Sequence, residues 1–154
     1  MKLSKKFEAI GIHLPTSPKP VAAYVPAIKV GKLVYVSGQL PFHEGQLLHK
    51  GSVPEIVSIE QAQMAARVCF LNGLAAAASI LEKGVDDLSR LIQINGFVQS
   101  QSGFDMHPQV INGASELALE LLGEAGKHAR IAVGVSSLPL NAPVEISFVF
   151  EAVS

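Results

Sequence analysis

The stretch SIEQAQMAARVCFLNGLAAAASILEKG, Ser58 to Gly84, decides the fold class of this 154-residue chain. The Ser58 hydroxyl can accept from the first free amides of a helix, and Gln61 completes a capping box three residues later. Apolar residues then recur at threes and fours, which predicts a helix to about Lys83 that Gly84 ends. Its apolar face can lie on a sheet. That face consists of Ala62, Ala65, Ala66, Cys69, Phe70, Gly73, Ala76, Ala77, Ile80 and Leu81.

Strand-forming segments precede this helix. The runs Val25 to Val30 and Leu33 to Ser37 are separated only by Gly31-Lys32, a two-residue turn signal that predicts a β-hairpin. A further short strand is expected at Gly45 to His49. A small antiparallel β-unit is therefore expected directly before the helix.

Strands and a second helix follow it. Leu91 to Val98 predicts a strand, in which Gly96 indicates a bulge or a close backbone approach. Pro108 opens a helix that ends around Gly123 to Gly126. Ile131 to Val135 and Val144 to Val149 predict two more strands. The apolar stripe of the second helix comprises Val110, Ile111, Ala114, Leu117, Ala118, Leu121 and Leu122.

This order predicts an α+β fold, a mixed β-sheet with two helices packed on one face. No linker, repeat or low-complexity segment divides the chain, so residues 1–154 are expected to form a single domain. Within it, residues 1–20 are interpreted as an N-terminal arm. Residues 4–10 could form one or two helical turns, and Pro15, Pro18 and Pro20 then favour an extended segment.

The composition narrows the function classes. A net charge of -1 provides no basic field for nucleic acid, so nucleic acid is an unlikely partner. Hydrophobic residues make up 49% and charged residues 16%, which favours an apolar surface covered by another subunit. The single cysteine, Cys69, lies in an apolar run and fits a reduced, cytoplasmic protein. Neither a signal peptide nor a membrane span is expected.

Familiar catalytic motifs are missing from the sequence. There is no phosphate-loop, dinucleotide-binding or nucleophile-elbow pattern, and no cofactor is expected. The five histidines are scattered without the spacing of a zinc site, so no metal is expected. Cys69 is interpreted as a core residue, because a catalytic thiol needs an electropositive, partly exposed setting.

Two charged residues at apolar strands are the candidates for chemistry. Arg130 leads directly into IAVGV, where its planar fork could grip a carboxylate bidentately or could pair with a surface carboxylate. Glu145 stands near the start of VEISFVF, where it could be an exposed glutamate or a general acid or base whose pKa is raised by burial. Both alternatives stay open at this point.

The segments VYVSGQLP, VING and HARIAVGVSSLPLNAPVEI resemble the YjgF-like Rid family of imine and enamine deaminases, formerly described as L-PSP endoribonucleases. The resemblance extends from Tyr24 to Val149. It implies a chorismate-mutase-like subunit and a homotrimer with ligand clefts between neighbouring subunits. By motif it implies a site made of Tyr24, Ser37, Gly38, Asn112, Arg130, Ala132 and Glu145.

Two departures indicate a divergent branch. Ala132 stands where the family often has a cysteine, and His128 stands where the approach to the arginine usually has a proline. Alanine keeps the backbone amide and carbonyl that could contact a ligand. Tyr24, Ser37 and Asn112 also have ordinary explanations, as a sheet aromatic, a strand-ending hydroxyl and an early helix polar residue.

The implied reaction is hydrolytic deamination of a 2-imino or enamino acid to a 2-keto acid and ammonia. Arg130 would hold the carboxylate and Glu145 would activate water. A non-catalytic trimer that binds a small carboxylate such as a keto acid is the alternative, and an endoribonuclease is the third. A hairpin of the last two strands would place Arg130 and Glu145 on the order of 16 Å apart. Either the last strand inserts elsewhere or the two residues meet across a subunit boundary.

Overall fold

The computed structural model describes residues 1–17 and 23–154 and shows helices packed over a five-stranded mixed sheet, with a separate two-stranded sheet. Pro18 and Pro20 of the expected extended segment lie outside the described residues. Short 3-10 turns lie at Gly84–Asp87, Gly123–Gly126 and Pro139–Asn141. The helices and strands are α1 Leu3–Ile10, β1 Ala27–Val30, β2 Leu33–Gln39, β3 Phe42–His43, β4 Gln46–Leu47, α2 Ile59–Ala78, β5 Leu88–Gln99, α3 His107–Leu122, β6 Ala129–Val135 and β7 Val144–Ala152.

The main sheet has five strands in the order β1-β2-β7-β5-β6. Strands β5 and β6 are parallel, and the other neighbouring pairs are antiparallel. The predicted α+β class with a mixed sheet is therefore confirmed. The last strand lies between β2 and β5, so β6 and β7 do not form a hairpin. Insertion of the last strand elsewhere in the sheet is thus observed, and a meeting of Arg130 and Glu145 across a subunit boundary stays a prediction.

The two faces of the sheet differ in character. Partners directly opposite each other on neighbouring strands point to the same face, so Val36, Phe148 and Ile94 form one row that is buried beneath the helices. The opposite face carries large apolar side chains that are exposed in the single chain. They are Ile28 at 55%, Val30 at 62%, Tyr35 at 45%, Ile131 at 44% and Val133 at 41%. Such a face favours the expected association of subunits, which stays a prediction.

Helix α2 begins as predicted but ends early. Its capping box is present, because the Ser58 hydroxyl accepts from the Gln61 amide at 3.1 Å and Gln61 Oε1 accepts from the Ser58 amide at 3.0 Å. The predicted end near Lys83 is wrong, since the helix stops at Ala78. The Ser79 hydroxyl donates to the Ala76 carbonyl at 2.7 Å and offers the backbone an alternative to the helical bond.

Gly96 marks a close approach between β5 and α3. A Cβ on Gly96 would lie 2.6 Å from Cδ1 of Ile111. The irregular register of β5 lies elsewhere, between Leu88 and Gln93. Of the two readings offered by the sequence, close approach is confirmed and a bulge at Gly96 is wrong.

The first helix packs onto the rest of the chain. Phe7 is 5% exposed and belongs to the main core. The Ser4 amide and hydroxyl donate to Asp86 Oδ1 and Oδ2 at 2.9 and 2.7 Å. These hydrogen bonds, the amide first, lower the pKa of Asp86. Residues 3–10 are thus docked by a buried aromatic ring and a hydrogen-bonded carboxylate.

Gly113→Ala is expected to lower the free energy of unfolding by about 2 kcal/mol or more. A Cβ at Gly113 in α3 would overlap the backbone carbonyl of Gln63 in α2, and that carbonyl cannot rotate away as a side chain would. Urea unfolding measures the change. Glu116→Ala, at an exposed position of α3, is the control and should stay within about 0.5 kcal/mol of wild type. Equal stability of the two variants would contradict the tight helix contact.

Candidate functional site

Arg130 lies on the edge strand β6 and points toward α3. It is paired with Ile94, which is buried on the helix side of the sheet. Its Nη1 donates to Asn112 Oδ1 at 2.8 Å and to Ser115 Oγ at 3.1 Å. Both Nη1 hydrogens are thus used, and no residue in the described ranges accepts from Nη2 or Nε. That free edge of the guanidinium has the geometry that binds a carboxylate bidentately.

Ala132 lies two residues after Arg130 on β6. It is paired with Gly96, lies on the same face as Arg130, and packs partly buried against the core. At this position the strand therefore offers a methyl group and backbone, where a cysteine would offer a thiol. The chain's one cysteine, Cys69, is completely buried on α2, as expected for a core residue. Burial, and then the charge of Glu145, raise the pKa of its thiol well above the ordinary value.

Glu145 lies on the other face of the sheet, near the start of β7. It is opposite Phe97 and is half-buried. Burial raises the pKa of its carboxyl above the ordinary value of 4.5. Gly38 lies against this carboxyl, because a Cβ on Gly38 would be 2.6 Å from Glu145 Oε1. Glycine at position 38 is thus what leaves room for the Glu145 side chain.

Ser37 and Tyr24 lie near Gly38. Ser37 directly precedes it in β2, and Tyr24 lies just before β1, the strand that pairs with β2. The Ser37 hydroxyl donates to the Val25 carbonyl at 2.6 Å and extends the β1–β2 hairpin beyond its last backbone pair. Its hydrogen is therefore engaged, and toward a ligand the oxygen is left to act as an acceptor. Tyr24 precedes β1 and is 62% exposed. Its ring is free to contact a ligand or another chain.

The predicted site residues form two separate groups within one chain. Arg130 and Glu145 lie on β6 and β7, on either side of β5, and their partners on β5 are three residues apart. Strand spacing and rise then place their Cα atoms about 14 Å apart. They also point to opposite faces of the sheet. The first group is Arg130, Asn112 and Ala132, and the second is Glu145, Gly38, Ser37 and Tyr24. A small ligand cannot touch Arg130 and Glu145 of the same chain.

A cavity of about 730 Å³ is lined by none of the predicted site residues, although Gln39, which follows Gly38, borders it. It is bordered by residues 13–17, by α2 through Val68 and Leu71, and by the β3–β4 hairpin. Asn72 lines it and donates to the carbonyls of Leu40 and Phe42, both at 3.0 Å. Neither Arg130 nor Glu145 lines this cavity.

Two polar residues near Arg130, Ser115 and His128, were not predicted from the sequence as part of the site. Ser115 is 9% exposed, and its Oγ lies 2.9 Å from Nε2 of His128 as well as 3.1 Å from Arg130. The available signal was spacing, since Ser115 follows Asn112 by three positions and so shares its helix face. His128 was noticed only as a departure from the resembled motif.

The raised pKa of Glu145 predicts a pH-dependent effect of Glu145→Gln. Ionisation costs more in the folded chain than in the unfolded chain, so this carboxyl lowers stability as pH rises from 4.5 through the raised folded value. Relative to wild type, the variant should therefore gain stability across that window and keep the gain above it. Urea unfolding of both proteins at about pH 4 and about pH 8 measures this difference, in which other titrations cancel. A pH-independent difference would contradict the desolvation of Glu145.

Residues 4–152 match the family described as "YjgF/chorismate_mutase-like, putative endoribonuclease". The chain belongs to this family. The match includes α1 and extends to the last residue of β7, so the YjgF family covers both groups of site residues.

Individual relatives within the YjgF family carry different names. Protein TCP17 of Trypanosoma cruzi is 34% identical over 151 residues, which cover 97% of this chain and 94% of that protein. The 2-iminobutanoate/2-iminopropanoate deaminase of Dermatophagoides farinae is 29% identical over 135 residues, 88% of this chain and 90% of the relative. The crystal structure of Atu1372 from Agrobacterium tumefaciens has a TM-score of 0.89 at 42% identity, covering 97% of this chain and 92% of that one.

Two further structural observations concern membranes and metals. Among the described residues, no helix has both the length and the apolar character needed to cross a bilayer. Within the same ranges, histidine, cysteine, aspartate and glutamate side chains nowhere gather in threes as a metal site would require.

Proposed function

We propose that this protein hydrolyses reactive 2-imino or enamino acids to 2-keto acids and ammonia, in a cleft formed by two copies of the chain. The observation that carries this proposal is the free edge of Arg130 formed by Nη2 and Nε. The remaining nitrogen, Nη1, is held by Asn112 and Ser115. The family match and a relative named 2-iminobutanoate/2-iminopropanoate deaminase support the same chemistry.

Arg130 would fix the substrate by its carboxylate. Two parallel charge-assisted hydrogen bonds from Nη2 and Nε set both the position and the plane of a 2-imino acid. The imine carbon is bonded directly to that carboxylate, so orienting one orients the other. Asn112 keeps the guanidinium against α3, and Ala132 provides an apolar wall along the strand.

Glu145 of a neighbouring copy would supply the proton transfers. Water adds to the imine carbon as Glu145 takes one of its protons and passes it to the nitrogen, which gives a carbinolamine. Glu145 then takes the proton of the carbinolamine hydroxyl and delivers it to the nitrogen as the C–N bond breaks, so that the ketone forms and ammonia leaves. Burial shifts the pKa of Glu145 upward, toward neutral pH, and a residue that must both accept and donate a proton works best with such a pKa. Gly38 leaves the space that this carboxyl occupies, and Ser37 and Tyr24 would line the same side of the cleft.

A homotrimer fits the separation of the two groups. The Arg130 group lies at the β6 edge and the Glu145 group on the open face of the sheet, so joining them requires unlike surfaces of two copies. Such a contact can repeat around a closed ring. It would also cover the exposed apolar side chains of the open face. The location in the cytoplasm stays a prediction from the reduced cysteine.

The test follows the lifetime of 2-iminobutanoate or 2-iminopropanoate generated in solution, with and without the protein. Faster loss of the imine with formation of the keto acid is expected. An acceleration of a few hundred to several thousand fold corresponds to about 3 to 5 kcal/mol of barrier reduction. An unchanged lifetime with every small 2-imino acid would remove the catalytic proposal.

Calorimetry with 2-ketobutyrate separates this reaction from the alternatives. Binding without acceleration of hydrolysis would favour a carboxylate-binding trimer that uses the same Arg130. Cleavage of RNA, without binding of 2-ketobutyrate and without faster hydrolysis of the imine, would favour the endoribonuclease activity in the family's description. The net charge of -1 makes that outcome the least expected, since phosphate backbones are bound through basic surfaces.

A further inference from the structure

A partly buried chain of hydrogen bonds extends from Arg130 to the backbone of the turn that precedes β6. Arg130 Nη1 lies 3.1 Å from Ser115 Oγ, and Ser115 Oγ lies 2.9 Å from His128 Nε2. His128 Nδ1 lies 2.6 Å from the Gly126 carbonyl oxygen. Ser115 is 9% exposed, so the middle of this chain is shielded from water.

With a neutral imidazole, the chemistry of its two ends fixes the direction of every hydrogen bond. The guanidinium can only donate and the Gly126 carbonyl can only accept. Nδ1 of His128 must therefore carry a proton, which leaves Nε2 of the neutral ring as an acceptor. The Ser115 hydroxyl donates to Nε2 and presents its lone pair to Arg130. No other assignment satisfies all three contacts with a neutral ring.

We infer that Ser115 and His128 are a positioning pair, which holds the Arg130 guanidinium so that its Nη2 and Nε edge faces the ligand. This inference rests on the proposed role of Arg130. Asn112 Oδ1 by itself would hold one hydrogen of Nη1 and leave the guanidinium able to rotate about that bond. The second bond, to Ser115, fixes the plane, and His128 fixes the Ser115 hydroxyl.

His128 is also one of the two departures from the resembled motif. A proline at that position has no side-chain donor or acceptor and could not orient Ser115. The pair is therefore a feature of this chain's own residues. It links the orientation of the arginine to the turn Gly123–Gly126, because the Gly126 carbonyl anchors the imidazole.

The expected effect of Ser115→Ala is a rise in the KM for 2-iminobutanoate, and in the Kd for 2-ketobutyrate, of about 10-fold, the size of one hydrogen bond to a charged group. The value of kcat should change by less than about 2-fold, because Ser115 touches neither the imine carbon nor the water. Ser115→Thr keeps the hydroxyl and should restore KM. An unchanged KM and Kd in folded Ser115→Ala would overturn the inference.

A double-mutant cycle tests whether His128 acts through Ser115. His128→Ala should raise KM by about 2- to 3-fold, and the double variant should be no worse than Ser115→Ala, because His128 reaches Arg130 only through that hydroxyl. A double variant whose KM rises by the product of the two single effects would assign His128 an independent structural role and overturn the pair.

A measurement that does not depend on turnover separates failure of this inference from failure of the proposed function. If wild type neither binds 2-ketobutyrate nor hydrolyses imines, the proposed function fails while the pair remains testable. A crystal structure of Ser115→Ala should then show the Arg130 guanidinium rotated or in several orientations. A guanidinium unchanged from wild type in that structure would overturn the inference.

Discussion

Arg130→Ala is expected to lower kcat/KM for the hydrolysis of 2-iminobutanoate by roughly 100-fold or more while the chain stays folded. The variant loses two hydrogen bonds to a charged group, worth about 1.5 to 3 kcal/mol each. Arg130→Lys should also be poor, by about 10-fold or more, because an ammonium cannot reproduce the planar fork. Initial rates of imine loss measure both effects, and circular dichroism verifies folding.

The matched control for this prediction is Arg67→Ala. Arg67 lies on α2, where its Nη1 is 3.8 Å from Glu120 Oε2 and its side chain is 36% exposed, against 54% for Glu120. Its removal takes away the same charge from the protein and should leave kcat/KM within about 2-fold, since an exposed ion pair contributes little. Equal losses in the two variants would show that net charge, and not a bound carboxylate, explains the effect.

Mixing Arg130→Ala with Glu145→Gln subunits is expected to restore activity that neither variant has by itself. If each cleft takes Arg130 from one copy and Glu145 from the next, random mixing leaves about one quarter of the clefts with both native residues. The two purified variants are unfolded and refolded together, and the rate of imine loss is compared with that of wild type at the same subunit concentration.

The control for the mixing experiment replaces the Glu145→Gln partner with an Arg130→Ala, Glu145→Gln double variant. Every copy then lacks Arg130, so no cleft can be complete and no activity should return. Recovery with the double variant, or none in the original mixture, would contradict a cleft shared between copies. The second outcome would contradict the separation of the two groups by about 14 Å and by the plane of the sheet.

Local patterns in the sequence determined the elements and their chemistry. Ser58 and Gln61 predicted the start of α2, Gly31-Lys32 predicted the first hairpin, and the apolar face of α2 predicted a helix lying on a sheet. These features depend on neighbours within a few residues, which the sequence displays directly. The end of α2 was missed because Ser79 competes for a backbone carbonyl without any helix-breaking residue to announce it.

The pairing of distant strands was beyond local reasoning. The placement of β7 between β2 and β5 depends on how two apolar faces and two helices fill one core, which no nearby residue encodes. That placement put Arg130 and Glu145 on opposite faces of the sheet.

The sequence by itself determined the family resemblance, the α+β class and the identity of the charged residues, since these depend on residue type and spacing. Only the tertiary structure decided that Arg130 is held by Asn112 and Ser115, and that Glu145 lies beside Gly38. The physical reason is that side-chain direction is set by strand order and register, and both are fixed by packing between segments far apart in the chain.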